Sequence, residues 1–476
     1  MEQKMSSIKK NFSLNFIYQL LNIIVSLITT PYIARVLGAE NSGIYSYSYA
    51  VANYFLLFAM LGINNYGNRC IAFARDSREE RSEVFSELYT TQILFSLAVI
   101  IVYGFYIISI CEAKIIACFQ LFYLMSAIFD INWFFFGMEQ FSLTVTRNVI
   151  IKLSLTAGIF IFVKNRNDLY LYTFLMATSQ LLNTIVLHFV LRKFVDFHFV
   201  KIAKIKNHIK PLMVMFIPVL AISIYNIMDK VMLGYMDTKE AVGYYEYSER
   251  IMQIPNAFIS AAGTVMLPRM AHMSKSQGLD AAKKYISKSL DIVMLFAVAM
   301  AFGIAGVADD LIPWFLGKEY SACILLVQAL TPIIIMKAWA NVIRTQYLIP
   351  YCKDAIYVMS VSLGAILNFI VNALLIPKYG AIGAVLGTVI AESAVMLYQT
   401  VRVRKDFKFW DNIKTLITFF VCGVLMFLLI RFIRTWEVST MILLILEVGL
   451  GGGFYLLCTV AFNYRKIRGI FHASKN

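Results

Sequence analysis

Tyr225–Asn256 reads YNIMDKVMLGYMDTKEAVGYYEYSERIMQIPN, two apolar helical segments joined by a short polar turn, with five charges inside the helices: Asp229, Lys230, Glu246, Glu249 and Arg250. On insertion scales a charge costs about 2.5–3.5 kcal/mol at the centre of a bilayer. In lipid, a hairpin carrying five would have to face protein or a wet cavity. The rest of the chain decides whether lipid is the solvent.

It is. The chain has 476 residues, 60% of them hydrophobic and 14% aromatic, more apolar sequence than a soluble core absorbs. Apolar runs near the ~20 residues needed to cross the hydrocarbon recur along its whole length. Fourteen spans are expected, near 12–37, 42–63, 87–109, 115–136, 145–163, 169–190, 211–236, 242–267, 290–312, 321–343, 355–376, 380–401, 413–433 and 438–461. The basic N-terminus leads into an apolar segment too long for a signal peptide, so it is read as the first span.

The loops sort by charge. About thirty Lys and Arg fall on one face, from Lys4, Lys9 and Lys10 through Arg69–Arg81, residues 192–210, 269–288 and 402–414 to Arg465–Arg468. About seven fall on the other: Lys114, Lys164, Arg166, Lys239, Lys318, Lys378 and Arg434. The rich face is expected to be cytoplasmic, with both termini. This asymmetry accounts for the net charge of +15 without nucleic acid. Seven scattered cysteines with no CxxC pair read as free thiols rather than metal or disulfide partners.

Two signatures repeat. Leu37-Gly38 is followed by four residues and Gly43-Ile44-Tyr45-Ser46-Tyr47; Leu233-Gly234 is followed by eight and Gly243-Tyr244-Tyr245-Glu246-Tyr247. Stretches 64–86 and 268–289, expected to be amphipathic interfacial helices, show the same offset of six spans. The expected fold is an all-α integral membrane protein of about fourteen transmembrane helices. Two pseudo-symmetric six-helix lobes surround a central cavity, and two C-terminal helices follow. The lobes are assigned to 1–200 and 201–405, with 406–476 holding the last two spans and a tail. Transporters with this plan bind substrate between lobes.

Matching the signatures sets Ile33 against Asp229, Ser46 against Glu246, Tyr49 against Glu249, Ala50 against Arg250 and Asn53 against Gln253. One cavity wall is thus charged and the other rich in hydroxyls and amides. Asn15, Gln19 and Asn22 extend the amide stripe along span one at helical spacing. Asp229 lies about 10 Å and Glu249 and Arg250 about 10–12 Å from the outer turn, at 1.5 Å per residue. Glu246 and Arg250 are i, i+4. Hydrogen bonding between helices and ion pairs that pin the hairpin are the structural readings of these residues. A polar substrate or ion site is the functional one, and one network can serve both. Glu392, near the middle of span twelve, is the costliest single acid. Arg147 and Lys152, opening span five, are candidates for lipid-phosphate contact or snorkelling; Lys337 is expected to snorkel, and Glu447 to be structural. Pro31, Pro218 and Pro255 are expected to kink their helices. Gly380, Gly383 and Gly387 form a close-packing seam.

No Walker loop, HExxH, G-x-S-x-G elbow or large external loop occurs, so no catalytic residue, cofactor or metal is expected.

The runs DINWFFFGMEQ (Asp130–Gln140), TRNVIIK (Thr146–Lys152), YNIMDKVMLG (Tyr225–Gly234), LGKEYSACILL (Leu316–Leu326), Thr345-Gln346-Tyr347 and IPKYGAIGAVLGTVIAE (Ile376–Glu392) carry a further reading. With them the chain resembles, over essentially its full length, Wzx-type polysaccharide flippases of the multidrug/oligosaccharidyl-lipid/polysaccharide exporter superfamily. Phe136 departs from the Gln that many relatives place before the Gly. The resemblance implies a flippase of the bacterial cytoplasmic membrane. It would move an undecaprenyl-diphosphate-linked oligosaccharide between leaflets by alternating access, for surface polysaccharide biosynthesis. H+ or Na+ is the candidate coupling ion, through Glu392 or the Asp229–Arg250 group; membrane lipids and a polysaccharide polymerase are candidate partners. Two alternatives stand beside it: a cation-coupled multidrug antiporter of the same superfamily, against which the Lys and Arg argue, and a membrane polymerase or glycosyltransferase, whose large external loop is missing.

Overall fold

The structure is a computed structural model. It describes the backbone of residues 2–276, 278–407 and 409–472, and the side chains of 18–462 except 20, 202, 203, 218, 221, 225, 274–282, 408 and 411. Among the described residues sixteen α-helices follow one another: α1 (Glu2–Met60), α2 (Ile63–Ala74), α3 (Arg78–Ser109), α4 (Lys114–Phe129), α5 (Asn132–Gly137), α6 (Phe141–Phe162), α7 (Leu169–Leu191) and α8 (Ile202–Met236), then α9 (Lys239–Ser276), α10 (Gly278–Phe315), α11 (Ala322–Leu330), α12 (Pro332–Ile343), α13 (Asp354–Tyr379), α14 (Ala381–Val403), α15 (Trp410–Ile433) and α16 (Thr440–His472). Among the described residues there is no strand. Among the described residues, eleven helical stretches are long and apolar enough to cross a membrane; one of them, Leu21–Ala74, carries the first two expected spans. The chain is an all-α, multi-pass membrane protein. The α8 and α9 helices, expected spans seven and eight, are not among the eleven, and the count of fourteen rests on the loop charges.

By its internal contacts the chain divides into two compact units, Met1–Gly234 and Tyr235–Asn476. In the first, α1 is broken at Gly38, whose φ of 78° and ψ of 173° only glycine adopts without strain. The break comes seven residues after Pro31, the expected kink, and is what divides span one from span two. Tyr32 Oη donates to Val163 O at 2.6 Å and Asn41 Nδ2 to Arg166 O at 2.8 Å, tying both sides of the break to the α6–α7 connection. Leu61 and Gly62, with φ of 41° and 75°, then turn the chain into the short helix α2.

The expectation of a matching interfacial helix at 268–289 is corrected: helix α9 continues through Pro268 to Ser276, and α10 begins at Gly278. Leu267-Pro268 stands where Leu61-Gly62 turns the chain in the first unit, and here the helix runs on without a break.

The DINWFFFGMEQ run proves to be architectural. Asp130 Oδ1 accepts from Asn132 N at 3.0 Å and starts α5. Trp133, fully buried, donates from Nε1 to Gln92 Oε1 at 2.9 Å, and Gln92 Nε2 in turn donates to Ala127 O and Asp130 O. The Trp133 ring lies over Gly67 on α2, where a Cβ would meet it at 2.5 Å. Phe136, the departure from the family habit, is partly exposed and stacks on Phe141. The beginning of α8 is held to this unit by His208, which bonds Tyr66 Oη at 3.0 Å and Glu87 Oε2 at 2.8 Å.

In the second unit, Thr238 Oγ1 accepts from Ala241 N at 3.1 Å and caps α9, so the turn inside Tyr225–Asn256 falls where the sequence places it. Gly383 and Gly387 do form a seam: a Cβ on Gly383 would come within 2.5 Å of the Leu375 backbone on α13, and one on Gly387 would strike Asn372. The Thr345-Gln346-Tyr347 run forms a π-helical turn. Thr345 bonds back to Asn341 O, Gln346 Nε2 donates to Ser289 Oγ at 2.6 Å, and Tyr347 Oη donates to Asp406 Oδ2 at 2.6 Å. Lys353 Nζ reaches the same Asp406 oxygen at 2.8 Å and also bonds Tyr347 Oη, clasping the α12–α13 and α14–α15 turns together.

Bonds from Lys353 and Tyr347, outweighing burial, hold the Asp406 carboxyl below its usual range. For Lys353 burial acts downwards, but its bonds to Asp406 and Tyr347 win and raise it. The clasp is therefore intact at neutral pH and is lost as pH falls through the lowered Asp406 value.

Two outcomes follow. Gly67→Ala should lose about 1–3 kcal/mol through overpacking against Trp133, seen as a lower melting temperature in detergent. Gly104→Ala, where a Cβ meets nothing within 4 Å, should not. Asp406→Asn should cost no more than about 1 kcal/mol at pH 7, because the pair is part-exposed, and the difference from wild type should vanish in acid.

Candidate functional site

Lipid penalises an unpaired charge, so charges expected inside spans call for partners. On α9, Arg250 Nε donates to Glu246 Oε1 at 2.7 Å, the i, i+4 pair expected from spacing. The Arg250 guanidinium also lies over the Tyr247 ring, 5.5 Å from its centre. Tyr245 and Tyr247, of the repeated GxYxY signature, are buried; Tyr245 Oη shares a hydrogen bond with Thr388 Oγ1 on α14 at 3.1 Å. Glu249 is half-buried one turn from Tyr245. In the first unit Asp229 is buried and interacts electrostatically with Tyr54, and Lys230 beside it is half-buried.

Glu392 has a partner that the sequence reading did not assign. Its Oε1 lies 3.1 Å from Lys337 Nζ, bridging α14 and α12. The carboxylate is buried and the ammonium about a third exposed. Lys337 does not snorkel to the interface: an acid at the middle of a neighbouring helix offers the ammonium more than water at the membrane edge does. Nothing in local spacing signals this pair, since its members are 55 residues apart.

Part of the amide and hydroxyl set of the first unit is brought together by hydrogen bonds and ring packing. Tyr123 Oη donates to Asn53 Oδ1 at 3.3 Å and lies 3.4 Å from Tyr49 Oη. Tyr49 stacks with Tyr45, and Tyr45 packs edge-on against Tyr172, giving a run of phenol rings beside Asn53. On span one, Gln19 is exposed and Asn22 half-buried. The Asn15 side chain lies outside the described residues.

Arg147 is buried, and its guanidinium is held by neutral amides. Nη2 donates to Asn132 Oδ1 at 2.9 Å and to Asn148 Oδ1 at 2.7 Å, while Asn132 donates to Asp130 Oδ1 at 2.6 Å. Nη1 is enclosed and has no hydrogen-bond partner among the described residues. The free Nη1 donor is therefore closed off inside the protein rather than open to solvent. Lys152 is half-buried one and a half turns further along α6. Among the described residues no group of His, Cys, Asp and Glu is placed to hold a metal ion.

Known proteins share both the sequence and the fold. The chain is 24% identical over 401 residues to the putative O-antigen transporter of Shigella dysenteriae, covering 83% of this chain and 100% of that one. It is 25% identical over 167 residues to the probable low-salt glycan biosynthesis flippase Agl15 of Haloferax volcanii, 35% of either chain. Its fold matches the inward closed conformation of the lipid II flippase MurJ with a TM-score of 0.78 at 19% identity, over 95% of this chain and 99% of that one. An inward-facing MATE family multidrug resistance transporter of the MOP superfamily matches with a TM-score of 0.59 at 12% identity, over 82% and 95%. The sequence profile described as "Polysaccharide biosynthesis protein" matches residues 8–274, more than half the chain. The chain belongs to this polysaccharide biosynthesis family.

Proposed function

We propose that this protein is a flippase for lipid-linked oligosaccharides. It moves undecaprenyl-diphosphate-linked repeat units across the bacterial cytoplasmic membrane by alternating access, for assembly of surface polysaccharide. The observation that carries this reading is the match along the entire length of a protein named as an O-antigen transporter. The fold likeness to a lipid II flippase agrees with it. The protein performs no covalent chemistry; it lowers the cost of carrying a charged, sugar-bearing headgroup through hydrocarbon while the polyprenyl tail stays in lipid.

The chemistry of the residues supports a diphosphate-sugar headgroup. Arg250, Lys230, Arg147 and Lys152 provide cations suited to phosphate; Asn15, Gln19, Asn22 and Asn53 provide amides suited to sugar hydroxyls. Asp229, Glu246 and Glu249 balance the hairpin cations. Glu392, paired with Lys337, is the group through which H+ or Na+ would couple. Both termini face the cytoplasm, as the loop charges indicate, and a polysaccharide polymerase consumes the delivered units.

A strain lacking this gene and any paralogue should lose surface glycan and accumulate lipid-linked repeat units, and a plasmid copy should restore the glycan. Normal glycan in the deletion strain sinks the proposal. Arg250→Ala and Arg147→Ala should each reduce complementation at unchanged protein level; Arg147→Lys should recover only part, because an ammonium cannot reproduce the guanidinium's bonds to both amides.

Breaking the Lys337–Glu392 pair separates structure from coupling. A fully buried pair costs about 3–5 kcal/mol when one partner is removed, and Lys337→Met should cost less than that because the ammonium is part-exposed. The double variant Lys337→Met, Glu392→Gln should recover the melting temperature. If Glu392 couples an ion, the double variant folds and fails to complement; full complementation assigns the pair to structure alone.

A further inference from the structure

Helix α16 begins at Thr440, and its eighth residue is Glu447. The side chain is fully buried, and among the described residues neither carboxyl oxygen has a hydrogen-bond partner. The charged groups acting on it are Asp310, Arg434 and Asp309, with the Asp310 carboxyl directly against its own. They come from the ends of α10 and α15, which finish where α16 starts.

The surroundings are otherwise matched. Arg431 Nη1 lies 2.7 Å from Asp309 Oδ2, Arg434 Nη1 lies 3.2 Å from Asp309 Oδ1, and Arg434 Nε lies 3.0 Å from Asp310 Oδ2. From α11, Gln328 Nε2 donates to Asp309 Oδ2 at 3.1 Å. Two aspartates therefore face two arginines, and their charges cancel. All four are partly open to solvent, whereas Glu447 behind them is closed off. A third ionised carboxylate would leave the cluster with surplus negative charge, would sit against Asp310 without a donor between two acceptor groups, and would have no water to solvate it. A single proton resolves all three conflicts: Glu447 then donates an O–H to Asp310, and the cluster is neutral.

We propose that Glu447 and Asp310 form a proton-binding site, with Glu447 carrying the proton at neutral pH and Asp310 accepting its hydrogen bond. Nothing else in the chain's chemistry calls for a third acid here: the two Arg–Asp pairs are complete without it. The site is separate from Glu392 and from the α9 charges, and it stands on the protein's own groups, independent of what the protein carries. Its ligand is H+. Loss of the proton inserts a negative charge where α10, α15 and α16 meet, so the packing of these three helices is tied to pH.

Infrared difference spectroscopy of the full chain in lipid nanodiscs tests the assignment. Wild type at neutral pH should show the C=O stretch of a protonated carboxylic acid, and Glu447→Gln, which keeps the shape, should lose it. Asp310→Asn gives the sharper arm. It removes one negative charge and leaves an arginine in excess, so Glu447 should ionise and the same band should disappear although Glu447 is still present. The melting temperature provides an independent readout: it should fall for wild type between neutral and alkaline pH, and stay level for Glu447→Gln. A wild-type spectrum without the band, or a band that survives Glu447→Gln, overturns the proton site; a band that survives Asp310→Asn overturns the shared proton.

Discussion

The structure depends on one constraint: inside a bilayer a charged or polar side chain needs a partner held by the protein itself. The chain meets it in three ways. Opposite charges are paired along one helix, as with Glu246 and Arg250, or between helices, as with Lys337 and Glu392. A cation is placed against neutral amides, as with Arg147 between Asn132 and Asn148. Or an acid is buried with no donor among the described residues, as with Glu447, where a proton completes it.

Two of the family-like runs are folding devices, while TRNVIIK, YNIMDKVMLG and the run ending at Glu392 carry the candidate residues Arg147, Lys152, Asp229, Lys230 and Glu392. The DINWFFFGMEQ run is a folding device: Asp130 starts a helix, Trp133 packs on Gly67, and Gly137 packs against Ile71. The Thr345-Gln346-Tyr347 run similarly ties a π-helical turn to α10 and to the α14–α15 turn. Neither presents a reactive group.

The fold was legible because lipid enforces it through composition: apolar length marks spans, and loop charge marks sides. The i, i+4 pair on α9 was legible for the same local reason. Long-range partners were not. Lys337 and Glu392 belong to α12 and α14, which meet only in the folded second unit, and a lysine seen alone in sequence is sent to the interface. Asp309 and Asp310 drew no attention because two acids near a span end look solvated; only the folded position of α16 brings Glu447 against them. The expected interfacial helix at 268–289 failed on a single local feature. Its counterpart begins at Leu61-Gly62, with positive φ at both residues, and Leu267-Pro268 cannot reproduce that turn. The glycines of the repeated signature also diverge. Gly38 breaks its helix, whereas Gly234 stays helical and makes room for the Tyr47 ring.

The central claim, that the protein itself moves a lipid-linked oligosaccharide across a bilayer, is tested most directly by reconstitution. The purified chain is placed in liposomes loaded on the inner leaflet with a labelled undecaprenyl-diphosphate oligosaccharide. Appearance of the sugar on the outside is followed with a membrane-impermeant glycosidase. The account predicts that the cleavable fraction rises with time in protein-containing liposomes and stays at background in protein-free ones. Equal cleavage in the two would contradict it.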